Sequence, residues 1–163
     1  MTVELITRFV KILIGFVLGW GGLWIFNSVG CNRLESEMTP TLPAQKNVMT
    51  DPRVHQAEQL NHDDFIAYDY EIPGGKGAKR VTARVVGLPG DRVKMVKGEV
   101  FVNGERAATS VATDRKAADD YAEIFVPRNT VFVLCDNRGG NTKSVDSRSL
   151  GPIGCWAIVG KLR

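Results

Sequence analysis

Ser36 and Lys79 are the side chains that could run a covalent reaction together. A serine hydroxyl is a poor nucleophile until a base takes its proton. A lysine serves as that base only where burial brings its pKa toward neutrality, and only within hydrogen-bond reach. A second chemistry would use Glu37 and Asp146 as a carboxyl pair sharing a proton to activate water. Nothing in the sequence brings those two together, so that dyad is not expected. His55, Glu58 and His62 fall at i, i+3 and i+7 and could present metal ligands on one helix face. A solvated polar segment is the reading favoured there, and neither a metal nor a cofactor is expected.

Three cysteines, Cys31, Cys135 and Cys155, leave at least one unpaired, and none has the close spacing of a metal knuckle. Cys135 and Cys155 fall in expected strands, where they are either two buried thiols, the favoured reading, or a disulfide. The net charge of +3 is small, and no basic run carries interleaved aromatics. Nucleic acid is therefore excluded as a partner.

The elements that must position these groups begin with an anchor. From Ile12 to Val29 no side chain is charged, which nearly fills the roughly 20 apolar residues a membrane-spanning helix needs. Arg8 and Lys11 precede it and predict a cytoplasmic N-terminus. Gly15, Gly19 and Gly21-Gly22 either let another helix approach or are simply tolerated in lipid. Cleavage before Cys31, as in a lipoprotein, is weakly patterned, because Ser28 stands where a large aliphatic is usual. The expected organisation is a short inner segment (1–11), a transmembrane helix (12–30) and an outer domain (31–163).

That outer domain reads as short strands and turns. Asn47–Thr50, Phe65–Tyr70, Lys79–Val86, Arg92–Val96, Glu99–Val102, Ile124–Val126, Thr130–Leu134 and Trp156–Val159 are expected strands. Lys97-Gly98 reads as a hairpin turn. Residues 107–122 read as a polar surface excursion, and His55–Asn61 as the one amphipathic helix the sequence offers. The fold class is mainly β, with antiparallel sheets packed on each other.

Four boxes in order then carry a resemblance. Met38-Thr39-Pro40-Thr41-Leu42 follows the anchor. Asp64-Phe65-Ile66-Ala67-Tyr68 comes next, with Asp63 where a glycine is usual. Arg84 to Asp91 reads Arg-Val-Val-Gly-Leu-Pro-Gly-Asp. Val133 to Arg138 ends in Asp136-Asn137-Arg138, and Ser144-Val145-Asp146-Ser147-Arg148 closes the series after the five residues Gly139 to Lys143. This order resembles the type I signal peptidases, membrane-anchored enzymes with a serine nucleophile and a lysine base.

The resemblance implies a nucleophile directly before Met38 and a base directly before Arg84. Those positions hold Glu37 and Ala83, and Glu35 stands where the family has an oxyanion-stabilising serine. A carboxylate there would repel a developing oxyanion. The expectation is thus a pseudoenzyme: a non-catalytic accessory subunit or peptide-binding module of a membrane complex, joined to other subunits through its anchor and outer domain. Met38, Val81 and Thr82 would line a peptide edge, and Ser144 matches the serine that contacts the family's lysine. Gly87, Pro89, Gly90 and Asp91 would shape a turn. Asp136, Arg138, Asp146 and Arg148 would hold strand ends. The alternative is an active signal or pro-peptide peptidase using a displaced Ser36/Lys79 pair. Ser36 is one residue out of place, which in an extended segment turns it to the opposite face. Lys79 lies four residues early, about 13 Å along a strand and too far for proton transfer without a looped-out segment.

Overall fold

The structure is a computed structural model. It describes residues 30–54, 56–75, 77–107, 120–138 and 145–163. The expected anchor, most of the 107–122 excursion, His55 and Ser144 lie outside these described residues. No described helix is long and apolar enough to cross a membrane.

Two antiparallel sheets form the domain. The larger, in the order β1-β2-β11-β3-β4-β9-β10, is built from β1 (Gly30–Arg33), β2 (Asn47–Asp51), β3 (Phe65–Glu71), β4 (Ala78–Gly87), β9 (Thr130–Leu134), β10 (Ile153–Gly154) and β11 (Ile158–Leu162). The smaller, β7-β6-β5-β8, holds β5 (Arg92–Val96), β6 (Glu99–Val102), β7 (Glu105–Arg106) and β8 (Tyr121–Phe125). β5 and β6 meet at Lys97 and Gly98, whose φ values of 49° and 79° suit the tight hairpin turn that matches strand twist.

β9 explains how two sheets share one body. Side chains alternate across a strand, so Val131 and Val133 face a first core with Ile66, Tyr68, Val81, Ala83 and Val85. Phe132 and Leu134 face a second core with Val86, Val93, Met95, Val100 and Val126. Apolar residues on both faces are the mark of a strand buried on both sides. Gly87 sits where the sheets come closest: a Cβ there would lie 2.6 Å from Cγ2 of Val93. Gly87 therefore ends β4 and serves close packing instead of shaping the turn. The turn itself relies on Gly90, at φ +96°, a conformation glycine adopts freely.

Several expected boundaries are corrected. Gly30 begins β1 and is no part of a transmembrane helix. The segment expected as a helix near His55–Asn61 contains only a 3₁₀ turn, Ala57–Gln59, too short to carry an amphipathic stripe. Trp156 lies in a 3₁₀ turn, Cys155–Ala157, and the strand starts at Ile158. Tyr121, placed in the excursion, opens β8, and Ala107 packs against the second core.

Candidate active site

Ser36 opens a 3₁₀ turn, Ser36–Met38, that packs beside β4. With about three residues per turn, neighbours in such a segment diverge by a third of a rotation, not the half-turn of an extended strand. The expectation that Ser36 faces the side opposite to Glu37 is therefore corrected. Met38 is buried and anchors the turn, so it offers no exposed peptide contact. Asn137 fixes the turn from outside: its backbone N–H donates to the Glu37 carbonyl at 2.8 Å. Its side-chain amide donates to the Ser36 carbonyl at 3.0 Å and to Oγ1 of Thr39 at 3.1 Å.

Lys79 reaches this turn. Its Nζ lies 2.8 Å from Oε2 of Glu35 and 2.9 Å from Oε1 of Glu37. The two carboxylates flank Ser36 in sequence, so the amine sits against both of its neighbours. The β3–β4 register runs unbroken from Phe65↔Arg84 to Glu71↔Ala78, and no looped-out segment is needed. The four-residue offset is closed by the reach of two long side chains, which strand distance alone did not count. Ala83, at the family's base position, is fully buried in the first core.

The electrostatics of this clamp are one-directional. Hydrogen bonding to Glu35, then to Glu37, holds the Lys79 ammonium above the usual lysine range, against the opposing pull of burial. The Lys79 hydrogen bond in turn holds Glu35 below the usual carboxylate range. Glu35 thus carries a paired charge rather than an isolated one at the oxyanion position.

A second set of pairs ties the strand ends. Asp146 is fully buried, accepts the Cys135 backbone N–H at 3.0 Å, caps helix α1 (Ser147–Leu150) through the Arg148 N–H, and takes the Arg148 guanidinium at 2.9 Å. The expected Asp146–Arg148 pair is present, and it leaves Asp146 committed away from any dyad with Glu37. Asp136 takes a two-pronged contact from Arg84, at 3.0 and 2.6 Å, while Arg138 donates to the Gly98 carbonyl in the β5–β6 turn. The Arg84 guanidinium also stacks 4.4 Å over Phe65. Asp91 accepts from the Leu88 N–H, from Asn103 and from His62. Burial pulls its carboxyl up, but these partners outweigh it and hold it low. His62 is thus engaged with Asp91, and Glu58 lies in the 3₁₀ turn.

Three groups had no role assigned from sequence. Asn137 stood inside a quoted box, yet only the fold shows it holding the Ser36 turn. Arg84 stood in another, yet its partner is 52 residues away. The Tyr68 hydroxyl donates to the Val145 carbonyl, and burial pushes its pKa well up. Cys135 and Cys155 are free, buried thiols, and burial pushes both up. Val81 and Thr82 are buried in the part of β4 that has no strand partner on the β9 side among the described residues, since β9 pairs only over Arg84–Gly87.

Two packed antiparallel sheets, a serine-bearing turn and a lysine amine beside it define a peptidase-type β domain. The family model "Signal peptidase, peptidase S26" matches residues 6–163, and the chain belongs to that family. It is 30% identical over 122 residues to Signal peptidase I S of Bacillus subtilis (strain 168), a match covering 69% of this chain and 61% of that protein. It is 29% identical over 135 residues to a signal peptidase I of Bacillus amyloliquefaciens, covering 77% of this chain and 66% of the relative. The matches thus span somewhat under two thirds of those relatives' length. A crystal structure of a signal peptidase I from Enterococcus faecalis V583 superposes with a TM-score of 0.50 at 24% identity, covering 64% of this chain and 97% of that one, which speaks for the fold. These findings overturn the expectation of a pseudoenzyme. Relatives named as signal peptidase I support an active peptidase, and the substitutions at Glu37 and Ala83 do not establish a loss of catalysis.

Proposed function

We propose that this chain is a membrane-anchored peptidase that removes signal or pro-peptides from exported proteins, with Ser36 as nucleophile and Lys79 as its proton acceptor. One observation carries the reading: the Lys79 amine lies within 3 Å of both residues that flank Ser36. An extended peptide would lie along the partnerless side of β4 near Val81 and Thr82, paired through its main chain. Ser36 Oγ attacks the scissile carbonyl carbon while its proton passes to neutral Lys79. The tetrahedral intermediate collapses to an acyl-serine, the amine leaving with that proton. Water then hydrolyses the ester, restoring Ser36.

The anchor is 12–29, with 1–11 inside and the β domain outside. Arg8 and Lys11 before the uncharged run support that orientation, and the membrane is the first partner. Added protease should digest residues 31–163 from the outer side of intact cells or spheroplasts, and full protection of the domain rejects this topology.

Because two carboxylates hold Lys79 protonated, cleavage should strengthen as pH rises above neutrality. The direct test uses the full chain in detergent and a pre-protein with small residues before its cleavage site. Ser36→Ala and Lys79→Ala should each lower turnover by up to about a million-fold, the scale seen when a hydrolase loses its nucleophile or base. Cleavage that survives both substitutions, or no cleavage by the unaltered chain, overturns the proposal.

A further inference from the structure

The three members of the clamp are not equally placed. Glu37 is 8% exposed and Lys79 36%, but the Glu35 side chain is 55% exposed. Glu35 also lines a surface recess together with Ser36, Leu34, Ala44, Gln45 and Arg33. A substrate side chain entering that recess meets the Glu35 carboxylate next to the attacking serine. Two carboxylates share one ammonium, and a carboxylate can accept more hydrogen bonds than the one Lys79 donates to Glu35. Arg33, the other charged group lining the recess, acts on Glu35 through its field and makes no ion pair with it closer than the clamp does.

We propose that Glu35 is a specificity-determining residue that favours substrates with a lysine or arginine side chain beside the scissile bond. This inference rests on the peptidase reading. A substrate cation paired with Glu35 takes up charge that otherwise holds Lys79. Lys79 then keeps only Glu37 and gives up its proton more readily. The same contact therefore binds the substrate and readies the base, and the preference should appear in kcat/KM.

The test uses the full chain in detergent micelles with peptides that span a small-residue cleavage site. The peptides differ only in carrying lysine or norleucine at successive positions flanking the scissile bond. At one position lysine should raise kcat/KM about fivefold, the upper range for a partly exposed ion pair. E35Q should bring that ratio back toward one. A ratio near one at every position, or a preference that survives in E35Q, overturns the role of Glu35 while cleavage itself still supports the peptidase reading. If no peptide is cleaved, the peptidase reading fails, and equilibrium binding to S36A protein decides the role of Glu35 by itself. Tighter binding of a lysine peptide, lost in the S36A/E35Q double variant, supports it, and equal binding overturns it.

Discussion

The Glu35–Lys79–Glu37 clamp and the Asp146–Arg148 pair use the same chemistry in opposite surroundings. Asp146 is 0% exposed and Arg148 15%, whereas Glu35 is 55% and Lys79 36% exposed. Asp146 also binds two backbone N–H groups, so its charge is fixed by covalent neighbours that cannot leave. The clamp is held by side chains alone, and one of them faces solvent. Burial with backbone partners makes a pair structural. Exposure next to a serine makes a pair exchangeable, which is what a site that must release a proton needs.

The largest expected effect tests the structural half. Asp146→Ala strands Arg148 and the Cys135 N–H and uncaps helix α1, and should cost about 3–5 kcal/mol, as breaking a buried pair does. Urea unfolding measures it, and a loss below that of Glu37→Gln would erase the contrast. Next is Gly87→Ala, where the added methyl meets Val93 across the join between sheets. Overpacking of this kind should cost about 1–3 kcal/mol, whereas a glycine kept only for a turn would show its cost through backbone strain and spare the packing of Val93, visible in methyl NMR shifts.

Glu37→Gln should cost about 1 kcal/mol, because Lys79 keeps Glu35 and stays partly in water. Before the fold was known, removing this carboxylate looked free of cost, as if the cleft were vacant. Its ion pair with Lys79 at 2.9 Å corrects that. The same variant should move the alkaline rise of activity to lower pH.

The smallest effect is the pH dependence of stability from the clamp. Lys79 is raised above its ordinary 10.5 by Glu35 first, so its contribution is complete below 10.5 and lost as pH climbs through the folded value. Glu35 is lowered beneath its ordinary 4.5 by Lys79 first, so its contribution is present above 4.5 and lost as pH falls through the folded value. Solvent screening keeps each below about 1 kcal/mol. E35Q should flatten both the acid and the alkaline limb of a melting-temperature profile, and limbs unchanged by it would show that other groups set them.

Much of the scaffold was legible in the chain because it rests on local signals. The alternation and β-branched content of Arg92–Val96, Glu99–Val102 and Thr130–Leu134 located β5, β6 and β9 to the residue. Lys97-Gly98 marked a hairpin, and the order of the boxes marked the family. Local signals failed where an element is short or needs a distant partner: β1, β7 and β10 have too few residues for a period, and the turn around Ala57 was read as a longer helix.

The sequence by itself determined which residues stand at the family's positions, and so drew attention to Glu37 and Ala83, because identity and spacing are properties of the chain. It could not determine what reaches those positions in space. Lys79 is 42 residues from Glu37, and Asn137 is 101 from Ser36. Only the folded sheet, with β4 beside the Ser36 turn and β9 leading into Asn137, brings them together. Strand spacing measures the backbone, whereas ion pairs form at the ends of side chains, and several ångströms of lysine and glutamate stem separate the two.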